Sequence, residues 1–133
     1  MSEENVELLR RYIGAGERDG VEGLAEFWHP DINWRAAEGA IDDVGLMEGP
    51  DAIRDYLRQW EETFDKSRVE VEELIDAGDQ VVAVLRGIGQ MKDSDAEIDL
   101  RYAIVFTIRD GKIAAGREYF TREQAIEAAR LSE

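Results

Sequence analysis

The apolar positions of the chain change their period near residue 67, dividing it into a helical half and a strand half. Before that point Val6, Leu9 and Ile13 recur at helical spacing, and Leu8 and Tyr12 widen the stripe. Glu3 and Glu4 occupy the first turn, where negative charge complements the helix dipole. The run "RDGVE" interrupts the stripe. Asp19 followed by Glu22 then matches a capping box for a second short helix, with Leu24, Phe27 and Trp28 as its apolar face and Pro30 as its end. A short strand is predicted over residues 32–36. Pro50 opens another helix whose inner stripe is Ile53, Tyr56, Leu57 and Trp60.

From Ser67 onward the period is two. "RVEVEELID", "QVVAVLRGIGQ", "EIDLRYAIVFTIR" and "KIAAGREYF" read as four long strands. Their turns fall at "AGD", "KDSD" and "DG", of which Asp110-Gly111 is the strongest hairpin signal. Thr121 and Gln124 make a capping box for a last helix that runs through about Leu131. Strands gathered after helices predict an α+β fold, a single domain over residues 1–133 with an antiparallel sheet and helices on one face. A strongly curved sheet with helices across its concave side encloses a cone-shaped hollow.

Charge narrows the partners. The chain carries 31 acidic and 16 basic residues, for a net charge of −15. That balance repels phosphate backbones and anionic lipid, so neither nucleic acid nor membrane is an expected partner. There is no cysteine, which removes disulfides and thiolate chemistry. No apolar run approaches about 18 residues, and "MSEENVELLRRY" is not a secretory signal, so a cytoplasmic protein is expected. His29 is the one histidine and stands before a proline, as a surface residue at a helix end would. Asp42 and Asp43 read as a solvated loop, and "DSDAEID" lacks the spacing of a calcium loop. No metal and no cofactor is expected.

The element order, with "RYIGAGERDGVEGL", "EGPDAIRDYL" and "FTIRDGKIAAGREYF", resembles the SnoaL-like branch of the nuclear transport factor 2-like (NTF2-like) superfamily. That group includes ketosteroid isomerase, polyketide cyclases and limonene epoxide hydrolase. The resemblance implies an NTF2-like cone, a small apolar ligand inside it, and a homodimer through the outer face of the sheet. It also gives catalytic positions to test. The ketosteroid isomerase tyrosine falls on Tyr12. The general-base position falls on Ala36, with Glu38 two residues later, and the second oxyanion donor falls on Ile104 or Ala103. The acidic residue that polyketide cyclases use in the same strand region is missing. Arg86 stands between Val84 and Ile88 on its strand face, where limonene epoxide hydrolase needs an arginine between two aspartates. None of the three sets is complete.

Strand parity sorts what remains. Gly116, Glu118 and Phe120 share the face of the family's pocket positions, Tyr102, Ile104 and Phe106 are expected beside them, and so are Val84, Arg86 and Ile88. The hollow is therefore expected to hold the catalytic candidates Glu118, Tyr12 and Arg86, with Glu38 at its lip. Trp28, Trp34, Tyr56, Trp60, Tyr102, Ile104 and Phe120 are expected to contact a ligand. Glu118 and Arg86 carry two readings: a buried structural ion pair, or a general base with its orienting cation. Two functions stay open. One is a cofactor-free acid–base isomerase, cyclase or hydrolase acting on a small, largely apolar compound. The other is a non-catalytic ligand-binding or dimerisation module.

Overall fold

The structure, a computed structural model, describes residues 2–40 and 43–131; Asp42 of the expected solvated loop lies outside them. The chain runs α1 (Ser2–Ala25), β1 (Trp28–Arg35), β2 (Leu46–Glu48), α2 (Pro50–Thr63), β3 (Phe64–Ala77), β4 (Gln80–Met91), β5 (Glu97–Arg109), β6 (Lys112–Tyr119) and α3 (Arg122–Leu131). The predicted break in the first helical stretch is a kink at Gly20, whose φ of 64° and ψ of −147° suit a residue without a Cβ. Two details of the prediction change here. The second helical segment ends at Ala25, and Trp28, His29 and Pro30 belong to β1. Pro30 sits where the β1–β6 register shifts, between Trp28 and Asn33, so its missing N–H costs no ladder bond.

The strands form one sheet in the order β2-β1-β6-β5-β4-β3. It is mixed rather than wholly antiparallel, because β1 pairs with β6 in parallel while the other neighbours are antiparallel. Three successive hairpins return the chain from the β3 edge and lay β6 alongside β1. At Asp110-Gly111 both residues have positive φ, 55° and 73°, as a two-residue hairpin turn requires. Register shifts in β3–β4 and β5–β6 bend the strands, and such bulges give the sheet its curvature.

The sheet is covered on both faces. Towards α1 and α2, the core joins Leu9, Trp28, Ile32, Trp34, Ile53 and Phe106, among others. On the other face Val82, Ala103 and Val105 pack beneath Ala125 and Ala129 of α3. The predicted capping box fixes the start of α3: the Thr121 hydroxyl accepts from the Gln124 amide (3.1 Å) and Gln124 Oε1 accepts from the Thr121 amide (3.3 Å). Because α3 covers the outer face of β4, that strand is apolar on both sides, and the expected facing of Val84, Arg86 and Ile88 is reversed. Val81, Ala83, Leu85 and Gly87 lie opposite Phe106, Ile104, Tyr102 and Leu100 of β5, on the inner face.

Two local arrangements position what lies inside. Gly116 of β6 pairs with Trp34 of β1, and a Cβ built on Gly116 would stand 2.4 Å from the Trp34 ring. The missing side chain lets the indole lie against the strand. In the loop after β1, Asp43 accepts from the Gly45 amide (3.0 Å) and the Gly39 amide (3.1 Å), and from the Arg35 guanidinium (3.1 Å). Asp43 therefore organises that loop instead of lying in solvent. The two amides, Gly45 first, and then the Arg35 charge hold its carboxyl below the ordinary aspartate range.

Gly116→Ala is expected to lower stability by about 1–3 kcal/mol, the usual cost of overpacking, in urea unfolding followed by tryptophan fluorescence. An unchanged midpoint would show that the close approach does not constrain Trp34. For Asp43, the ionised form ties the loop above the ordinary aspartate pKa of about 3.9. The tie is lost as pH falls through its lowered value. The amide proton shifts of Gly39 and Gly45 are thus expected to titrate together with a midpoint below that figure, and to stop doing so in Asp43→Ala. A midpoint at or above it would refute the assignment.

Candidate functional site

Between the concave face of the sheet and the two long helices lies a cavity of about 1130 Å³ that opens to solvent. Its size follows from the sequence of inner-face residues on β4. They are Val81, Ala83 and Leu85, followed by Gly87 and Gly89. The two glycines leave the open end of the cone unfilled.

Glu118 of β6 projects into this space, one register step from the Gly116 that seats Trp34. Trp34 Nε1–H donates to Glu118 Oε2 at 2.8 Å, and the Tyr56 hydroxyl of α2 donates to the same oxygen at 2.9 Å. Three elements far apart in sequence thereby fix one carboxylate. Trp34 meets Phe106 edge-on with centroids 5.6 Å apart, and Phe106 in turn meets Tyr12 edge-on at 5.7 Å. The Tyr12 hydroxyl of α1 accepts from Trp28 Nε1–H at 3.1 Å. Its own proton is thus directed elsewhere, and Tyr12 lines the cavity. Burial raises the Tyr12 pKa well above its ordinary value, against the smaller effect of the Trp28 bond, so the phenol keeps its proton. Tyr102 of β5 also lines the cavity. Its pKa is raised first by burial and then by the negative charge of Glu118. Among the described residues the chemical content includes the Glu118 carboxylate, the Tyr56 phenol that donates to it, and two further neutral phenols, Tyr12 and Tyr102, within aromatic walls.

The open end is apolar and partly wet. Trp60 stacks on Phe64 with centroids 5.1 Å apart, and Val69, Val71, Leu100 and Phe120 stand exposed around it. Of the expected residues, the structure brings Glu118, Tyr12, Trp34, Tyr56, Trp60, Tyr102 and Phe120 to the cavity wall.

Four expected residues stand elsewhere. Arg86 is on the outer face, bound by Asp99 in a two-pronged pair (2.8 and 2.6 Å) with Glu70 at 3.6 Å, so neither reading of an Arg86–Glu118 pair holds. Glu38 has a side chain 85% exposed and faces Arg35 at 3.6 Å, away from the cavity. Trp28 and Ile104 are core residues behind the wall, 5% and 6% exposed. His29 lies in β1, where its Nδ1 accepts from the Asp31 amide.

Sequence reasoning missed Phe64, Val69, Val71 and Leu100 as wall residues. "RVEV" and the glycines of "RGIG" carried the signal, since small residues on one strand expose their neighbours' side chains. Among the described residues no cluster of three or more His, Asp or Glu is placed to hold a metal ion, and no helix is long and apolar enough to cross a membrane.

Similar architectures occur among solved structures. TerC co-crystallised with polyporic acid is 22% identical, with 96% of this chain and 98% of that one covered and a TM-score of 0.76. A putative SnoaL-like polyketide cyclase from Jannaschia sp. is also 22% identical, with 96% and 92% covered and a TM-score of 0.76. A protein of ketosteroid isomerase-like fold from Catenulispora acidiphila, in complex with trimethylamine, is 17% identical, with 93% and 92% covered and a TM-score of 0.73. At these identities the likeness is one of fold. No curated protein matches the chain by sequence. The model of the SnoaL-like domain matches residues 9–116, and with that the chain belongs to the SnoaL-like family.

Proposed function

We propose that the protein binds a small, largely apolar organic molecule in the cone and acts on it by cofactor-free acid–base chemistry. The observation that carries this reading is the Glu118 carboxylate, fixed by Trp34 and Tyr56 inside an otherwise aromatic cavity. A carboxylate so placed takes a proton from a bound carbon acid or hydroxyl and returns it at another position. The Tyr12 and Tyr102 phenols, neutral at ordinary pH, donate to oxygen where negative charge develops. Structural neighbours that hold polyporic acid or trimethylamine are in keeping with a small ligand in this fold. One feature favours a second reading, a binding module without chemistry: both donors converge on the same Glu118 oxygen, as in a group that anchors a ligand.

Native mass spectra of freshly purified protein, compared with its denatured mass, test the ligand. Each subunit is expected to carry roughly a few hundred daltons of a drug-sized molecule, released on denaturation. On that compound or a relative, Glu118→Gln is expected to lower kcat by about 10²–10⁴. Bound ligand without turnover in the unaltered protein selects the binding module. No added mass, together with no uptake from a panel of aromatic and terpenoid compounds, removes both readings.

The same proposal includes a homodimer through the outer sheet face. On the outer side of the β1–β6 pair, the Asn33 Oδ1 is buried without a hydrogen-bond partner, and burial lowers the pKa of Arg117. Polar groups in such settings suit pairing with a second surface. Equilibrium sedimentation is expected to return twice the 15.1 kDa chain mass, and a monomer alone would remove the dimer.

A further inference from the structure

Among the described residues, nothing requires a glycine at position 87 of β4. The Gly87 backbone is outside the left-handed region, so its conformation admits a side chain. A Cβ built on it would meet Tyr102 Cε1 at 3.5 Å and the Leu100 carbonyl oxygen at 3.9 Å, both ordinary contacts. Gly116 is the contrast, since the Trp34 ring fills the space of its side chain. Nor does Gly87 mark a bulge. It pairs regularly with Val69 and Leu100, and the register shifts of the β3–β4 pair fall on either side, between Asp65 and Arg68 and between Val71 and Glu73. A glycine inside a strand weakens it. Where neither a bulge nor a bend accounts for it, the remaining cause is close approach of a ligand or of another backbone.

The cavity supplies that approach. Gly87 faces the inside of the cone and forms part of its wall. In its row across the sheet, Val69 of β3 and Leu100 of β5 stand on either side, both exposed. Neighbouring strands lie about 4.8 Å apart, so the two flanking backbones are roughly 10 Å apart. Carbon atoms meet at about 3.5–4.0 Å, so that gap admits one hydrocarbon chain or one ring edge, with backbone as its floor. Leu85, the next inner residue, is buried and closes the slot at its deep end. Glu118 lies in another part of the cavity. It pairs with Ile104 of β5, four residues from Leu100. Four residues of strand span roughly 13 Å. A compact molecule held at Glu118 therefore stops short of Gly87, and an elongated one reaches it.

We propose that Gly87 is a specificity-determining position: its bare backbone floors a slot that takes the far end of an elongated apolar ligand, whose head lies in the part of the cone lined by Trp34 and Glu118. This deepens the proposed function and rests on the cavity being the ligand site. Val69 and Leu100 flank the slim end of the ligand, and the missing side chain lets that end lie against the sheet. A side chain at position 87 would stand where the ligand runs and would select shorter molecules by clash. The selection is one of length.

Three neutral probes with one head group and a growing tail test the inference: 1-hexanol, 1-octanol and 1-decanol, titrated calorimetrically into the unaltered protein, Gly87→Ala and Gly87→Val. In the unaltered protein each added methylene is expected to tighten binding about fourfold, which makes decanol about tenfold or more tighter than octanol. In Gly87→Val, hexanol is expected to stay within about twofold while decanol loses about tenfold or more. Gly87→Ala is expected to show the same trend with a smaller loss, and to melt no lower than the unaltered protein. A lower melting temperature for Gly87→Ala would show that the chain itself needs the glycine, and overturns the inference. Decanol no tighter than octanol in the unaltered protein, an equal loss along the series in Gly87→Val, or no loss of decanol there overturns it too and leaves the cavity reading standing. Failure of all three alcohols to bind the unaltered protein overturns the inference and the cavity reading together. Gly87→Ala, whose added Cβ makes only ordinary contacts, carries the comparison if Gly87→Val does not fold.

Discussion

The contact on which the site depends is the indole of Trp34 laid against Gly116. Any side chain on Gly116 would occupy the space of the ring. With it absent, the indole reaches along β6, and its N–H meets the Glu118 carboxylate. The same ring packs edge-on to Phe106 and so closes the buried core off from the cavity. One missing Cβ therefore decides the depth of the cone, the orientation of its carboxylate and the boundary between protein core and ligand space. A partly buried carboxylate without donors would be costly. Trp34 from β1 and Tyr56 from α2 both donate to its Oε2, and in doing so tie the helical layer to the sheet.

The distribution of charge follows from the same separation of faces. On the outer face of β3–β5, Arg86 binds Asp99 with Glu70 beside it, Arg101 binds Glu72, and Arg122 of α3 binds Glu73. These pairs are exposed, and each stabilises the fold modestly. Their collective effect is to commit guanidinium groups to the outside of the sheet. The concave face receives glycine, aromatic rings and Glu118.

The helical stripe of α1, the capping box of α3, the Asp110-Gly111 hairpin, the α+β class and the inward Glu118 were all legible in the sequence. Each rests on local chemistry: a period, a cap, a pair of residues tolerant of positive φ. Parity held for β5 and β6 because their outer positions interpose Arg101, Arg117 and Tyr119 among apolar ones. It failed for β4, whose "VVAVL" is apolar on both faces. Nothing local tells which face meets α3, and an error of one residue carries Arg86 across the sheet.

What the sequence by itself determined is the set of elements, their order, the family and the aromatic character of the interior with Glu118 inside it. Tertiary structure alone decided who holds Glu118. Residues 34, 56 and 118 meet only once the sheet has curved and α2 has crossed it. It also decided that Arg86 and Glu38 face outward, that Trp28 and Ile104 stand behind the wall, and that Asp43 is an organiser of its loop. The physical reason is common to all of these. Periodicity reports which side of an element is apolar, whereas a site is made by which elements converge, and convergence is set by packing between residues distant in the chain.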